Sequence, residues 1–312
     1  MKIVALAGGV GGAKLADGLA AVLPPGNLAV VVNVGDDFDH FGLRICPDLD
    51  TVCYTLAGIA NPVTGWGRSG DSHIVLKETH RLGGPDWFGL GDLDLATHLE
   101  RTRRLQMGEP LSKITANFCE IWGVSQSVLP VSDERLSTMV QTKSDGELAF
   151  QDYFVRRRCE PEVLGFRFAG IEEAKPTPGL IEAISGSDAV VICPSNPWVS
   201  IAPILGVMEI TEAIMQKPVL AVSPIVNGKV FKGPAAKMYR EMGFEPSALS
   251  VANHYKAIIR GFIHAHEDTT ECAVINQWGI IPYGTDIFMP NRDSRIRLAS
   301  EILHIVEEIV EA

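Results

Sequence analysis

The chain has 312 residues, of which 38 are acidic and 27 basic, for a formal net charge of −11. Its length and 46% hydrophobic content allow a full core and exclude a disordered chain, while the acidic balance argues against nucleic-acid binding. No apolar run reaches the roughly 18 residues of a membrane span, and none of the six cysteines forms a C-x-x-C pair, so a cytoplasmic protein with reduced thiols and no membrane association is expected.

Residues 2–7 (KIVALA) read as a buried strand running into GGVGG, and the N-terminus therefore reads as a strand, not a signal peptide. Leu15, Leu19, Val22 and Leu23 give residues 13–23 a helical period, stopped by Pro24 and Pro25. Residues 28–34 (LAVVVNV) form a second buried strand, so the chain opens as a βαβ unit with a parallel sheet. A helix is expected over 48–60, capped by Asp48 or Asp50. From 61 to 125 the pattern is that of a mainly helical insertion, with its best helices at 95–107 and 112–122. Residues 189–193 and 219–223 are buried strands flanking one helix over IAPILGVMEITEAIMQ, and 262–266 and 280–288 are further strand candidates. A terminal helix over 295–311 places Ala299, Ile302, Leu303, Val306 and Ile309 on one face. The pattern predicts a Rossmann-like α/β fold, mostly parallel, with helices on both faces: one domain over 1–312 carrying the insertion.

Four groups of residues can carry chemistry. Gly8, Gly9, Gly11 and Gly12, with Lys14, lie between strand and helix, where glycines let an anion approach backbone N–H groups at a helix N-terminus. Lys14 occupies the third glycine position of G-x-G-x-x-G, and the Walker A spacing fails, so neither the dinucleotide nor the P-loop pattern is met. Asn33, Asp36 and Asp37 follow the second strand, with Asp48 and Asp50 beyond; such carboxylates suit a ribose hydroxyl or Mg²⁺, and each alone also suits a turn or a cap. Ser195, Asn196 and Ser200 lie beyond the strand 189–193, on the ligand-binding edge of an open α/β sheet. In GLGD (89–92), Asp92 or Asp94 reads as a helix cap, and Arg101, Arg103 and Arg104 as a solvated face. No G-x-S-x-G elbow occurs; His264 and His266 alternate on a strand without a third ligand nearby; and Arg156–Arg158 reads as a solvated turn.

Taken together, GGVGGAK (8–14), VNVGDD (32–37), CPDLDTVCYTLAG (46–58), GLGDLDLATHL (89–99), LPVSDE (129–134), CPSNPWVSIAPIL (193–205) and SPIVNGKVFKGPAAKM (223–238) resemble the 2-phospho-L-lactate transferases of coenzyme F-420 biosynthesis and their phosphoenolpyruvyl-transferring bacterial relatives. The resemblance runs from residue 1 to about 290. It implies transfer of a phosphorylated three-carbon acid (2-phospholactate, phosphoenolpyruvate or phosphoglycerate) from a GDP-linked donor to the terminal ribityl hydroxyl of the deazaflavin Fo, with release of GMP and a need for Mg²⁺. On this resemblance the glycine turn with Lys14 holds the diphosphate. Asp37 and Asp50 coordinate the metal or activate the hydroxyl, with Asn33 and Asp36 in support. Ser195 and Asn196 meet the guanosine, and Gly91, Asp92 and Thr115 lie toward Fo. A homodimer is also implied. Two other readings compete: a nucleotide-sugar-binding regulatory protein of the related gluconeogenesis-factor family, and an NAD-dependent oxidoreductase suggested by the glycine turn alone. No residue distinguishes which acid is transferred.

Overall fold

In the computed structural model, residues 1–230 and 234–311 are described; 231–233, inside the SPIVNGKVFKGPAAKM segment, and 312 lie outside them. Seven strands form one sheet in the order Ile281–Thr285, Gly261–Ala265, Val219–Val222, Ala189–Ile192, β1 (Ile3–Ala7), β2 (Leu28–Val32) and Ser127–Pro130, every pair parallel. All five residues of β1 are buried, as befits a central strand covered on both faces. Each fully buried Val, Ile or Leu there contributes about 1.5–3 kcal/mol. The chain leaves β1 in two directions: through β2 to one edge, and through Ala189–Ile192 to the other. That reversal opens a crevice at the carboxyl ends of β1 and Ala189–Ile192, the place where open α/β sheets bind ligands.

Helix α1 (Gly9–Val22) begins four residues earlier than its apolar spacing predicts, so the glycines form its first turn instead of a separate loop. Gly18 lies inside α1 because the terminal helix, Arg292–Glu311, crosses there; a Cβ on Gly18 would overlap the Arg295 carbonyl oxygen. Helix α2 (Pro47–Leu56) starts with Pro47 in its first turn and ends well short of residue 60. The segment 61–125 holds the helices Ile74–Arg81, Asp92–Gln106 and Leu111–Ile121.

Three further features differ from the sequence reading. The single helix expected over 201–216 is broken into a π-type turn at Pro197–Ile201 and short helices at Ala202–Leu205 and Ile210–Met215. Between them Glu209 takes φ +68°, and the break lets both Val207 and Ile210 enter the core. A two-residue hairpin joins Phe38–His40 to Leu43–Ile45, with Phe41 at φ +53° and Gly42 at +73°. A separate antiparallel sheet, ordered Gly146–Ala149, Ser137–Thr142, Val163–Ala169, packs beside the crevice, where the Thr138 N–H donates to the Gly35 carbonyl at 2.6 Å.

Candidate active site

The walls of the crevice approach each other closely at the glycine turn. Gly8 carries no Cβ because one would sit 2.6 Å from Ser200 Cβ and 2.7 Å from an Asp48 oxygen. Gly9 has φ +58°, which only glycine adopts freely. A Cβ on Gly11 would overlap the Pro194 carbonyl oxygen, and one on Gly12 would lie 2.8 Å from Ser195 Oγ. Each glycine is thus required by packing against 48 and 194–200. The glycines are therefore needed for close packing at the start of α1, where the sequence reading also expects a diphosphate. The Gly9 N–H faces the Asp48 carboxylate, which serves as the resident anion at the amino end of α1.

Ser195 Oγ donates to the Gly8 carbonyl at 2.8 Å and accepts the Gly8 N–H at 3.2 Å. Asn196 Oδ1 accepts from the N–H groups of Trp198 and Val199, capping the following turn. Both side chains that the resemblance places toward guanosine thus tie the walls of the crevice together in this structure. Lys14 Nζ donates to the Met289 carbonyl at 2.9 Å. It lines a cavity of about 310 Å³ together with Val10, Thr55, Asn61 and Arg295.

Opposite the glycines stands an acidic cluster. Asn33 is fully buried; its amide donates to Asp48 at 2.9 Å and to the Val199 carbonyl at 3.2 Å, and its Oδ1 accepts the Gly35 N–H at 2.7 Å. Asp36 is buried with one carboxylate oxygen unpaired, and burial together with the Asp48 charge holds its proton affinity well above the usual carboxylate range. Asp48 itself is raised to about 6 by burial, against the opposing hydrogen bonds from Asn33 and Gly9. Asp37 is raised to about 7 by burial, despite Arg44, whose guanidinium lies 3.5 Å away; its other oxygen is unpaired.

Asp50, two residues from Asp48, has a different environment. Arg101 engages both of its oxygens, and His98 Nδ1 lies 3.6 Å away. Burial depresses the His98 imidazole to about 4. Asp50 thus sits in a buried ion pair, apart from the acidic cluster of Asp36, Asp37 and Asp48. Arg101, read as solvated, is 2% exposed. The signal was present: Asp94, Thr97, His98 and Arg101 follow helical spacing and are the buried stripe of their helix.

The residues assigned to Fo are placed by the insertion. Asp92 is half-buried and caps the helix Ile74–Arg81, accepting from the N–H groups of Ile74 and Val75 and from Ser72 Oγ. Asp71 in turn caps Asp92–Gln106, accepting from Leu93 and Asp94, and Gly91 is glycine because a Cβ would overlap Asp71. Thr115 donates to the Leu111 carbonyl within its own helix at 2.7 Å. Of the other candidates set aside earlier, Arg156 and Arg157 pair with Asp152 and Asp145.

No three His, Cys, Asp or Glu side chains among the described residues converge as a ready-made metal site. The acidic cluster nevertheless suits Mg²⁺, which takes one or two carboxylates and completes its shell with water and phosphate oxygens. Unpaired oxygens on Asp36 and Asp37, and mutual repulsion between Asp36 and Asp48, are what such a cation relieves.

These features define a Rossmann-like α/β enzyme with a closed glycine turn facing buried carboxylates. The model of the family 2-phospho-L-lactate transferase CofD matches residues 3–279, and the chain belongs to that family. It is similar to the phosphoenolpyruvate transferase of Streptomyces griseus, at 41% identity over 99% of both chains. It is 40% identical to that of Streptomyces coelicolor over the whole of both, and 42% identical to that of Thermobifida fusca over 88% of this chain and 90% of the relative. A UPF0052-family protein from Bacillus halodurans shares the fold, with a TM-score of 0.62 at 15% identity over 97% of this chain and 98% of that one. The protein is therefore a phosphotransferase of F-420 biosynthesis. Among the described residues no helix is long and apolar enough to cross a membrane.

Proposed function

We propose that the enzyme transfers a phosphoenolpyruvyl group from a GDP-linked donor to the terminal ribityl hydroxyl of Fo. The observation that carries this reading is full-length similarity to phosphoenolpyruvate transferases at about 40% identity, combined with buried carboxylates that carry unpaired oxygens. The ribityl oxygen bonds to the phosphorus that bears enolpyruvate, the phosphoanhydride bond to GMP breaks, and GMP leaves with the electron pair. A neutral primary alcohol is a weak nucleophile, so a base within hydrogen-bond reach is needed. Asp37 fits that role, with its proton affinity raised to about 7 and one oxygen unpaired. Asp36 and Asp48, which repel each other, would hold Mg²⁺. The ion would neutralise charge on the transferred phosphoryl group. Asn33 fixes Asp48 by a direct hydrogen bond. Arg44 steadies Asp37. A homodimer in the cytoplasm, acting on these small molecules alone, completes the proposal.

The test supplies Fo, Mg²⁺ and an equimolar mixture of guanylylated phosphoenolpyruvate, 2-phospholactate and 3-phosphoglycerate, and follows products by mass spectrometry. The expected product is the enolpyruvyl phosphodiester of Fo with one GMP per turnover. Preferential use of either other donor overturns the choice of acid, and absence of Fo-dependent GMP release overturns the reaction.

A further inference from the structure

The same sheet edge carries a second reactive pair, on the strand next to the edge. Cys272 Sγ lies 3.2 Å from His264 Nε2. The imidazole is 1% exposed, and its Nδ1 lies 2.8 Å from the Ala265 carbonyl, which can only accept. The Nδ1 proton is thereby fixed, Nε2 carries the lone pair, and the Cys272 thiol is the donor. Asp268 is close enough to His264 for the two charges to interact. Cys272 is half-buried, whereas Cys46, Cys53, Cys119 and Cys193 are buried. Cys159, the other half-buried thiol, has Tyr153, Lys237 and the Phe154 carbonyl as neighbours, with no imidazole among its partners in the described residues.

We propose that Cys272 and His264 form a nucleophile–base dyad, making Cys272 a thiol-modification site that reacts with small uncharged disulfides. In this exchange the Cys272 thiol gives its proton to His264 Nε2 as sulfur attacks one sulfur of the disulfide. The new S–S bond joins Cys272 to half of the reagent, the old S–S bond breaks, and the departing thiolate takes the proton back from His264. The disulfide is the oxidant, reduced to one free thiol and one half of the mixed disulfide. Asp268 stabilises the transient imidazolium. Burial and the Glu271 charge hold the proton on the resting thiol, so the base is what makes the sulfur reactive. The same Glu271 charge disfavours anionic reagents and favours a neutral one. None of these residues belongs to the acidic cluster or the glycine turn.

The experiment treats the folded, full-length protein with bis(2-hydroxyethyl) disulfide at neutral pH and follows each cysteine by peptide mass mapping, with Cys159 as an internal clock. Cys272 is expected to gain the hydroxyethylthio group at least tenfold faster than Cys159, and His264→Gln is expected to remove that advantage while the far-ultraviolet spectrum is retained. Equal rates at Cys272 and Cys159 in the native protein overturn the proposal. So does an unchanged ratio in a folded His264→Gln variant. If His264→Gln fails to fold, the native ratio combined with Asp268→Asn decides. A several-fold fall in the Cys272 rate in that variant supports the dyad, and an unaltered rate overturns it.

Discussion

Asp48 and Asp50 stand two positions apart on α2 and are both 6% exposed, yet they belong to different chemistry. Two helical residues turn through about 200°, which puts the side chains on opposite faces. Asp48 faces Asn33 and the amino end of α1, beside carboxylates with unpaired oxygens. Asp50 faces the insertion, where Arg101 takes both of its oxygens. Burial alone does not separate these two carboxylates; what separates them is that Arg101 pairs with Asp50, whereas among the described residues no cation pairs with Asp48.

The sharpest way to break this contrast is to remove the cation. Arg101→Met leaves Asp50 buried and unpaired, and should cost about 3–5 kcal/mol, read as a fall in Tm and urea midpoint. Adding Asp50→Leu should restore part of that loss; a double variant no more stable than Arg101→Met would show that the pair is not the source. On the other face, Asp37→Asn and Asp48→Asn should each lower kcat by two orders of magnitude or more, equivalent to about 3 kcal/mol of transition-state stabilisation, without a comparable fall in Tm. Loss of stability with kcat preserved would reverse the assignments of the two faces.

A smaller effect follows from pH. Asp37 and Asp48 have folded proton affinities near 7 and 6 against an ordinary value of 3.8. A carboxyl raised in this way favours the fold while protonated. Its contribution is complete below the unfolded value and is lost as pH rises through about 6 to 7. Mg²⁺ can replace the protons, so millimolar MgCl₂ should raise Tm by a few degrees at pH 8 and by much less at pH 5; an equal gain at both values would argue against the cluster as the cation site. The smallest effect is expected at Asp92, which is half-buried and lies outside the acidic cluster. Asp92→Ala should speed amide exchange in Ile74–Arg81 and leave GDP binding untouched, because its carboxylate caps that helix.

Much of the sheet was readable. The continuous apolar runs at 3–7, 28–32, 189–192 and 219–222 are buried on both faces, and such strands advertise themselves. The strands at Ser137–Thr142 and Val163–Ala169 were not read: their inward residues, Thr138, Val140, Thr142 and Val163, alternate with polar or half-exposed neighbours and include two threonines. Within the site, residue types pointed to the glycine turn and to Asn33, Asp36 and Asp37, but not to what they touch. That Ser195 binds Gly8 and that Arg101 answers Asp50 are long-range facts, set by strand order and by the docking of the insertion.

The Ser195–Gly8 pair has a kinetic consequence. The two residues are 187 positions apart, and β1 finds one of its neighbours at Ala189–Ile192. Closing so long a loop is slow relative to local contacts, and a chain growing from its N-terminus at about 5–20 residues per second waits of the order of ten seconds or more for that partner. During that interval one edge of β1 is unpaired and the glycine turn has no wall, so a ribosome-bound fragment ending before residue 189 should be protease-sensitive across residues 3–12. The crevice cannot close until residues 189–200 have been made, although its first residues are among the first to be made.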